Sequence, residues 1–191
     1  MRDYNYELME WIQQRWSPRA ISPEPVPLDD IRAVIDAARQ APSCFNEQPW
    51  RFMVAREPEE LSLFRDLLTE KNRRWAGKAP VLLLVLAAKS FSANGKPNRW
   101  HQFDTGTAWG FLALEAVRRG LVSHAMAGFD RVRAVELLQI PDSYEPMAMV
   151  ALGRYGDPAQ LDPDFQETEH PADRRPLEEI MLSPGAFRKT E

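Results

Sequence analysis

The sequence predicts an α+β fold, and three observations carry that prediction. Helical and strand-like stretches follow one another irregularly, without the repeated strand–helix–strand rhythm of a doubly wound parallel sheet. The run Val81 to Ala88 is apolar with no alternation, the pattern of a strand covered on both faces or nearly so. Phe103 to Val117 is apolar almost all round, with Asp104 and Glu115 its only charges, the pattern of a helix through the middle of a domain. At 191 residues the chain suits one domain with a sizeable core, spanning 1–191, with residues from about 156 onward forming an extended arm.

The elements follow in order. Tyr6, Met9, Trp11 and Ile12 can share one side of a short first helix, Asn5 to about Gln14, with Pro18 just beyond. Pro23, Pro25 and Pro27 make the next stretch an extended connector, because a residue before proline avoids the α region. Leu28 to Arg39 reads as a helix: Asp29 and Asp30 suit the positive end of its dipole, Ile31, Val34, Ile35 and Ala38 form its stripe, and Pro42 ends it. Phe52 to Ala55 is a strand candidate. Glu57 to Arg74 reads as one helix with Leu61, Leu63, Phe64, Leu67 and Leu68 inward, and Ser90 to Arg99 as a loop. The central helix stops at Arg118-Arg119-Gly120, cations followed by a C′ glycine. A strand-to-helix turn leads to a helix over Phe129 to Gln139, with Asp130 near its start, and Met147 to Leu152 reads as a second central strand. Beyond Gly156 the chain is rich in Pro, Asp and Glu and reads as an extended arm.

Bulk properties exclude several classes. A composition of 44% hydrophobic and 27% charged residues is that of an ordinary globular protein. The net charge of −4 argues against nucleic-acid binding, which calls for a basic stripe. Cys44 is the only cysteine, so no disulfide within the chain and no thiolate metal cluster is expected. His101, His124 and His170 lack ligand spacing, and no G-x-G-x-x-G or P-loop occurs. The start, Met1 to Glu7, has no apolar core, and the longest apolar run is far shorter than the roughly 20 residues of a membrane span, so a soluble, cytoplasmic protein is expected.

Four constellations could carry chemistry. Arg15, Ser17 and Arg19 stand at alternate positions, which an extended chain projects to one side; guanidinium forks bind phosphate oxygens bidentately and a hydroxyl can complete the cradle. Taken singly, they also fit a solvated basic turn. The loop Ala41 to Phe52 offers a hydroxyl, a thiol and two amides; Asn46 and Gln48 each pair a donor with an acceptor and suit a flat heterocycle whose edge alternates N–H and C=O, or else satisfy their own backbone. In Gly120 to Asp130, Gly128 lets backbone approach a ligand closely, or simply makes a turn. Arg174-Arg175-Pro176-Leu177-Glu178-Glu179 is a second cationic point or a charged tail with local ion pairs. Gly106 and Gly110, four apart in the central helix, are expected to permit close packing.

In this order the motifs resemble the nitroreductase family of FMN-dependent oxidoreductases, over about Tyr4 to Met181. The resemblance rests on R-x-S-x-R, A-P-S-x-x-N-x-Q-P-W-x-F, Gly-Phe-Asp and the late Arg-Arg-Pro-Leu-Glu-Glu. It implies helices around a mostly antiparallel sheet, and a homodimer with two FMN sites at its interface and C-terminal arms exchanged. It implies hydride passing from NADH or NADPH through flavin to a small acceptor such as a nitroaromatic or quinone. By motif match, Arg15, Trp16, Ser17 and Arg19 would meet phosphate and ring. Pro42, Ser43, Cys44, Asn46 and Gln48 would reach the flavin, in the main that of the other subunit. Asn72 and Arg74 would contact the ring, Met126, Ala127 and Gly128 would lie near its reactive edge, and Arg174 and Arg175 would return a cation to the phosphate. The flavin carries the chemistry, so neither a catalytic acid or base nor a metal is expected.

The chain departs from the family pattern at four places. Trp16 stands for a second arginine, Ile21 for an aromatic and Ala127 for an acid seen in some members, and Cys44-Phe45 is an unusual filling of its loop that sets Phe45 at the substrate pocket. The competing readings are a flavin carrier or sensor without turnover, and a dimeric scaffold with a decayed site.

Overall fold

The computed structural model describes residues 4–187, so the two ends of the expected domain, 1–3 and 188–191, lie outside the described residues. Four strands, β1 (Trp50–Ala55), β2 (Val81–Ala88), β3 (Val122–Met126) and β4 (Tyr144–Gly153), make one antiparallel sheet in the order β1–β2–β4–β3. Around it lie α1 (Glu10–Gln14), α2 (Leu28–Arg39), α3 (Pro58–Leu67), α4 (Glu70–Ala76), α5 (His101–Arg118), α6 (Arg131–Leu137) and two short arm helices, α7 (Pro163–Gln166) and α8 (Leu177–Ile180).

The lack of alternation in β2 has a direct cause. Val81, Leu83 and Val85 face Ile31, Val34 and Ala38 of α2 and Ala108, Leu112 and Ala116 of α5. Leu82, Leu84 and Leu86 face Leu61, Phe64 and Leu67 of α3, Trp75 and Ala76 of α4 and Ala134 of α6. Both sheet faces are therefore dry, and each buried Leu or Val contributes about 1.5–3 kcal/mol relative to exposure. Where β2 meets β4 the register slips between Val85 and Leu86, whose partners are Ala148 and Pro146; this bulge accommodates a proline inside a paired strand.

Several expectations need correction. The single helix over 57–74 is two. Leu68 turns extended (φ −70°, ψ 143°) and bridges to Phe129, while the Leu67 carbonyl accepts from Asp130 N–H at 2.8 Å. Tertiary pairing with the turn after β3 thus overrides local helical pattern. α3 itself starts as an acidic, proline-led first turn should, with a reciprocal Glu57–Glu60 capping box. The helix expected over 129–139 is confined to α6, capped by the Asp130 carboxylate on the Arg133 N–H at 2.9 Å. The first helix is shorter than expected, and β1 and β4 extend earlier, to Trp50 and Tyr144.

The central helix is buried on one side only. Asp104, Thr105, Ala108, Leu112, Ala113 and Ala116 face inward, whereas Phe103 is 72% exposed and Phe111 40%. A Cβ on Gly106 or Gly110 would meet nothing within 4 Å, so the close packing expected of these glycines does not occur inside the chain. The helix stops at Gly120 (φ +68°), where the Leu121 N–H reaches back to the Ala116 carbonyl at 2.8 Å.

The arm beyond Gly156 is anchored at its base. Phe165 of α7 is buried in the α3/α4 face, and residues 170–187 are exposed throughout. Among the described residues no helix is long and apolar enough to cross a membrane.

Candidate functional site

The turn after β3 is the most constrained part of the site. The Gly128 carbonyl accepts three hydrogen bonds: from Thr69 N–H (3.2 Å), Thr69 Oγ1 (3.1 Å) and Asn72 Nδ2 (2.9 Å). The break between α3 and α4 exists at this contact, since it delivers Thr69 and Asn72 to the turn. A side chain at 128 would force its neighbours to move: its Cβ would stand 2.6 Å from Asn72 Nδ2 and 3.0 Å from Thr69 Oγ1. The Gly128 N–H has no acceptor among the described residues, and Ala127 is exposed, while Met126 is buried. Asn72, expected to contact a ligand, spends its amide N–H on the turn.

The Arg15 to Arg19 segment runs extended past the middle of β3. Arg15 Nη1 donates to Ser17 Oγ at 3.4 Å, so these two groups do share a side. Arg19 diverges: its Nη1 donates to Thr168 Oγ1 at 3.3 Å and its guanidinium lies 5.6 Å from the Phe165 ring. Trp16 packs edge-on against Tyr155 at 5.7 Å between centroids. The backbone around Pro18 is gripped from two directions. His124 Nδ1 sits 3.0 Å from the Pro18 carbonyl, and the Glu169 carboxylate accepts from Arg19 N–H (2.9 and 3.0 Å) and Ala20 N–H (2.8 Å). Burial lowers the His124 pKa below its ordinary value, and the Arg19 and Arg15 charges push the same way. His124 is neutral at pH 7, and because a carbonyl only accepts, its proton is on Nδ1.

The loop from Ala41 to Gln48 is backbone-strained. Phe45, Asn46 and Gln48 have φ of 53°, 57° and 51°, each in the left-handed region that costs L-residues roughly 1 kcal/mol or more. Tethers hold it there. Cys44 N–H donates to the buried Asp104 carboxylate (3.0 Å), Gln48 N–H to Ser43 Oγ (3.0 Å), and Glu47 accepts from Ser92 N–H (2.8 Å). Phe45 is 91% exposed and stands edge-to-face with Phe91, 5.9 Å between centroids. Pro42 and the Asn46 side chain also face outward, and Gln48 Nε2 donates to the Asn46 carbonyl.

The remaining expected residues lie elsewhere. Arg74 is held by Asp162 (2.6 Å) and Asp164 (2.6 and 3.0 Å) and covers the Phe165 ring at 4.7 Å, so it pins the base of the arm. Arg174 donates to its own neighbours' carbonyls, Ala172 and Asp173, and Arg175 to Glu179. Both arginines border a cleft of about 600 Å³ between the arm and Tyr4–Ile12, not the Arg15–Ser17 pair.

Sequence reasoning missed Thr69, Asp104, His124 and Glu169. Asp104 carried a signal, as one of two charges in an otherwise apolar helix; the other three act through backbone contacts that no spacing announces.

Comparison with known proteins completes the description. A family model described as "Nitroreductase family" matches residues 12–73 and 62–154. A solved structure described as an oxidoreductase containing FMN superposes with a TM-score of 0.92 at 38% identity, covering 99% of this chain and 97% of that one. An NADH dehydrogenase from Thermus thermophilus is 29% identical over 200 residues, 88% of this chain and 92% of that protein. An uncharacterised 15.4 kDa protein from Mycolicibacterium smegmatis is 38% identical over 120 residues, 63% of this chain and 77% of its own length.

Proposed function

The chain belongs to the nitroreductase family, and from that premise we infer that it is an FMN-dependent oxidoreductase passing hydride from NADH or NADPH to a small acceptor such as a nitroaromatic or quinone. The observation that supports this most is the layout of β3. Its middle residue, His124, holds the segment bearing Arg15 and Ser17, and the chain just past its end forms the Gly128 turn. His124 and the end of β3 at Met126 are two residues, about 7 Å, apart, and the Gly128 turn follows directly, an arrangement suited to an elongated ligand with an anionic end and a flat reactive edge.

The residues present fit FMN. Arg15 and Ser17, already 3.4 Å apart, would hold the phosphate by charge-assisted hydrogen bonds. The absence of a Cβ at 128 and the open Gly128 N–H suit close approach of a ring edge that accepts a hydrogen bond. Asn46, exposed on a strained and tethered loop, is placed to read an edge of alternating donors and acceptors. Bound FMN would supply the two-electron chemistry that side chains lack. The chain's own part is to bind the phosphate, to fix the turn through Thr69 and Asn72, and to shield the site with Phe45 and Phe91.

A homodimer is part of the same proposal. The face of α5 with Phe103, Gly106 and Phe111 is apolar and largely uncovered by the described residues, and the exposed arm has no core of its own. Covering that face with a second copy brings Pro42, Ser43, Cys44 and Asn46 toward the neighbour's cofactor. Phe103→Glu with Phe111→Glu is expected to convert the protein to a monomer of half the mass by sedimentation; an unchanged mass sinks the α5 interface. A cytoplasmic setting belongs to this reading.

The deciding experiment is anaerobic. The purified protein should be yellow or become so with FMN, NADH or NADPH should bleach it, and a nitroaromatic or quinone should restore the colour. A protein that stays colourless with FMN defeats the reading; one that binds FMN but resists both nicotinamides is a carrier or sensor.

A further inference from the structure

Two partly buried contacts outside the cofactor's own contact set act on the backbone that presents Arg15 and Ser17. The peptide run Pro18–Ala20 carries three carbonyls and two N–H groups: the Arg19 and Ala20 carbonyls accept from the Ile21 and Gly156 N–H groups, and the other three groups are each taken by a side chain from far along the sequence. The Pro18 carbonyl accepts from His124 Nδ1 on β3, and the Arg19 and Ala20 N–H groups donate to Glu169 at the arm base. His124 is itself wedged by the Trp75 ring, 4.5 Å away between centroids, and Trp75 is 3% exposed. Pro18 and Ala20 are buried as well, so these contacts are partly sheltered from water.

This matters because an extended segment has no hydrogen-bonded periodicity of its own. Unbraced, Arg15 to Arg19 would lose conformational freedom only on binding its anion, and ordering one residue's backbone costs about 1–2 kcal/mol. A segment fixed beforehand does not incur that loss at the moment of binding.

We propose that His124 and Glu169 are positioning residues of the phosphate cradle: they clamp Pro18–Ala20 from its acceptor and donor sides and so preorganise Arg15 and Ser17, without touching the cofactor themselves. The inference rests on the FMN reading above and specifies which further residues its affinity depends on. Glu169 also links the base of the arm to the cradle, so an arm that detaches there loosens the phosphate contacts.

The test compares FMN with riboflavin, which lacks the phosphate. Wild type should bind FMN much more tightly than riboflavin, by titration of flavin fluorescence. His124→Ala, which removes one hydrogen bond, should weaken FMN about tenfold, and Glu169→Ala, which removes the acceptor shared by two N–H groups, at least as much; both should leave riboflavin nearly unaffected, so that the preference for phosphate shrinks. His124→Asn keeps an amide N–H near the position of Nδ1–H and should recover most of the preference; His124→Phe, which keeps the ring stack alone, should not. Glu169→Gln, which keeps an acceptor oxygen, should fall between Ala and wild type and serves if Glu169→Ala fails to fold. Equal losses for FMN and riboflavin, or an Asn variant no better than Phe, overturn the proposal. A wild type that binds neither flavin overturns the FMN reading instead, and the two failures are thereby distinct.

Discussion

Replacing Arg15 and Ser17 together by alanine is expected to weaken FMN binding by roughly 3 kcal/mol or more, over a hundredfold in Kd, because charge-assisted hydrogen bonds contribute about 1.5–3 kcal/mol each. Arg15 Nη1 lies 3.4 Å from Ser17 Oγ, close enough for both to bind one anion, and removing both avoids a leftover donor compensating for the other. The loss should be largest at low salt and shrink as ionic strength rises, since both groups are only partly buried and the ions screen what remains. The measurement is a fluorescence titration of the cofactor-free protein with FMN at several salt concentrations. A double variant that binds FMN like wild type would falsify the placement of the phosphate at this segment, whatever else binds the ring.

The second large effect concerns the turn after β3. Gly128→Ala puts a Cβ where the Asn72 amide now is, 2.6 Å from its nitrogen. Asn72 is the end of a short flexible side chain, so it will swing away, and the Gly128 carbonyl will lose one of its three donors. The expected outcome is a fall in turnover of tenfold or more, from about 1–3 kcal/mol of overpacking and a displaced reactive-edge backbone. Asn72→Ala alone should reproduce part of that fall. Because the two changes strike one contact, they should be strongly non-additive: Asn72→Ala made on top of Gly128→Ala should cost little more. A double-mutant cycle on steady-state reduction of a quinone reads this directly. Simple additivity would mean that Asn72 and Gly128 act on the ligand separately and that the hydrogen bond between them is incidental.

Comparing these sites with the sequence shows where local pattern suffices. The stripe of α2, the dry run of β2 and the stop at Gly120 were legible because each depends on spacing that the chain itself displays. The boundary inside 57–74 was not. Leu61 to Leu68 keeps helical period, yet Leu68 goes to an extended conformation because Phe129 and Asp130, some sixty positions later, offer it strand-like pairing. The openness of α5 was hidden for the opposite reason. An apolar surface looks the same in sequence whether it meets the chain's own core or nothing within it, so Phe103 and Phe111 gave no sign of being exposed. Among the candidate site residues, the shared side of Arg15 and Ser17 and the turn at Gly128 could be read from alternation and from glycine chemistry. Arg74 could not, because its two carboxylate partners, Asp162 and Asp164, sit in a stretch that looked like featureless arm. His124 and Glu169 were out of reach altogether, since each meets a backbone group, and a backbone group has no letter in the sequence.

The central strand also sets a problem of timing. Val81–Ala88 is eight residues with no charge, no proline and no glycine, which is the composition of a segment that joins other copies edge to edge when left unpaired. One of its edges is closed early by β1, which precedes it in the chain. The other belongs to β4, and β4 ends only at Gly153. Throughout synthesis of the intervening stretch the β4-facing edge lies open, and closing it is a non-local step of the kind that slows folding. Overexpression at high temperature is therefore expected to yield insoluble protein, and the cure lies in slower synthesis or in holding that edge apart until β4 arrives.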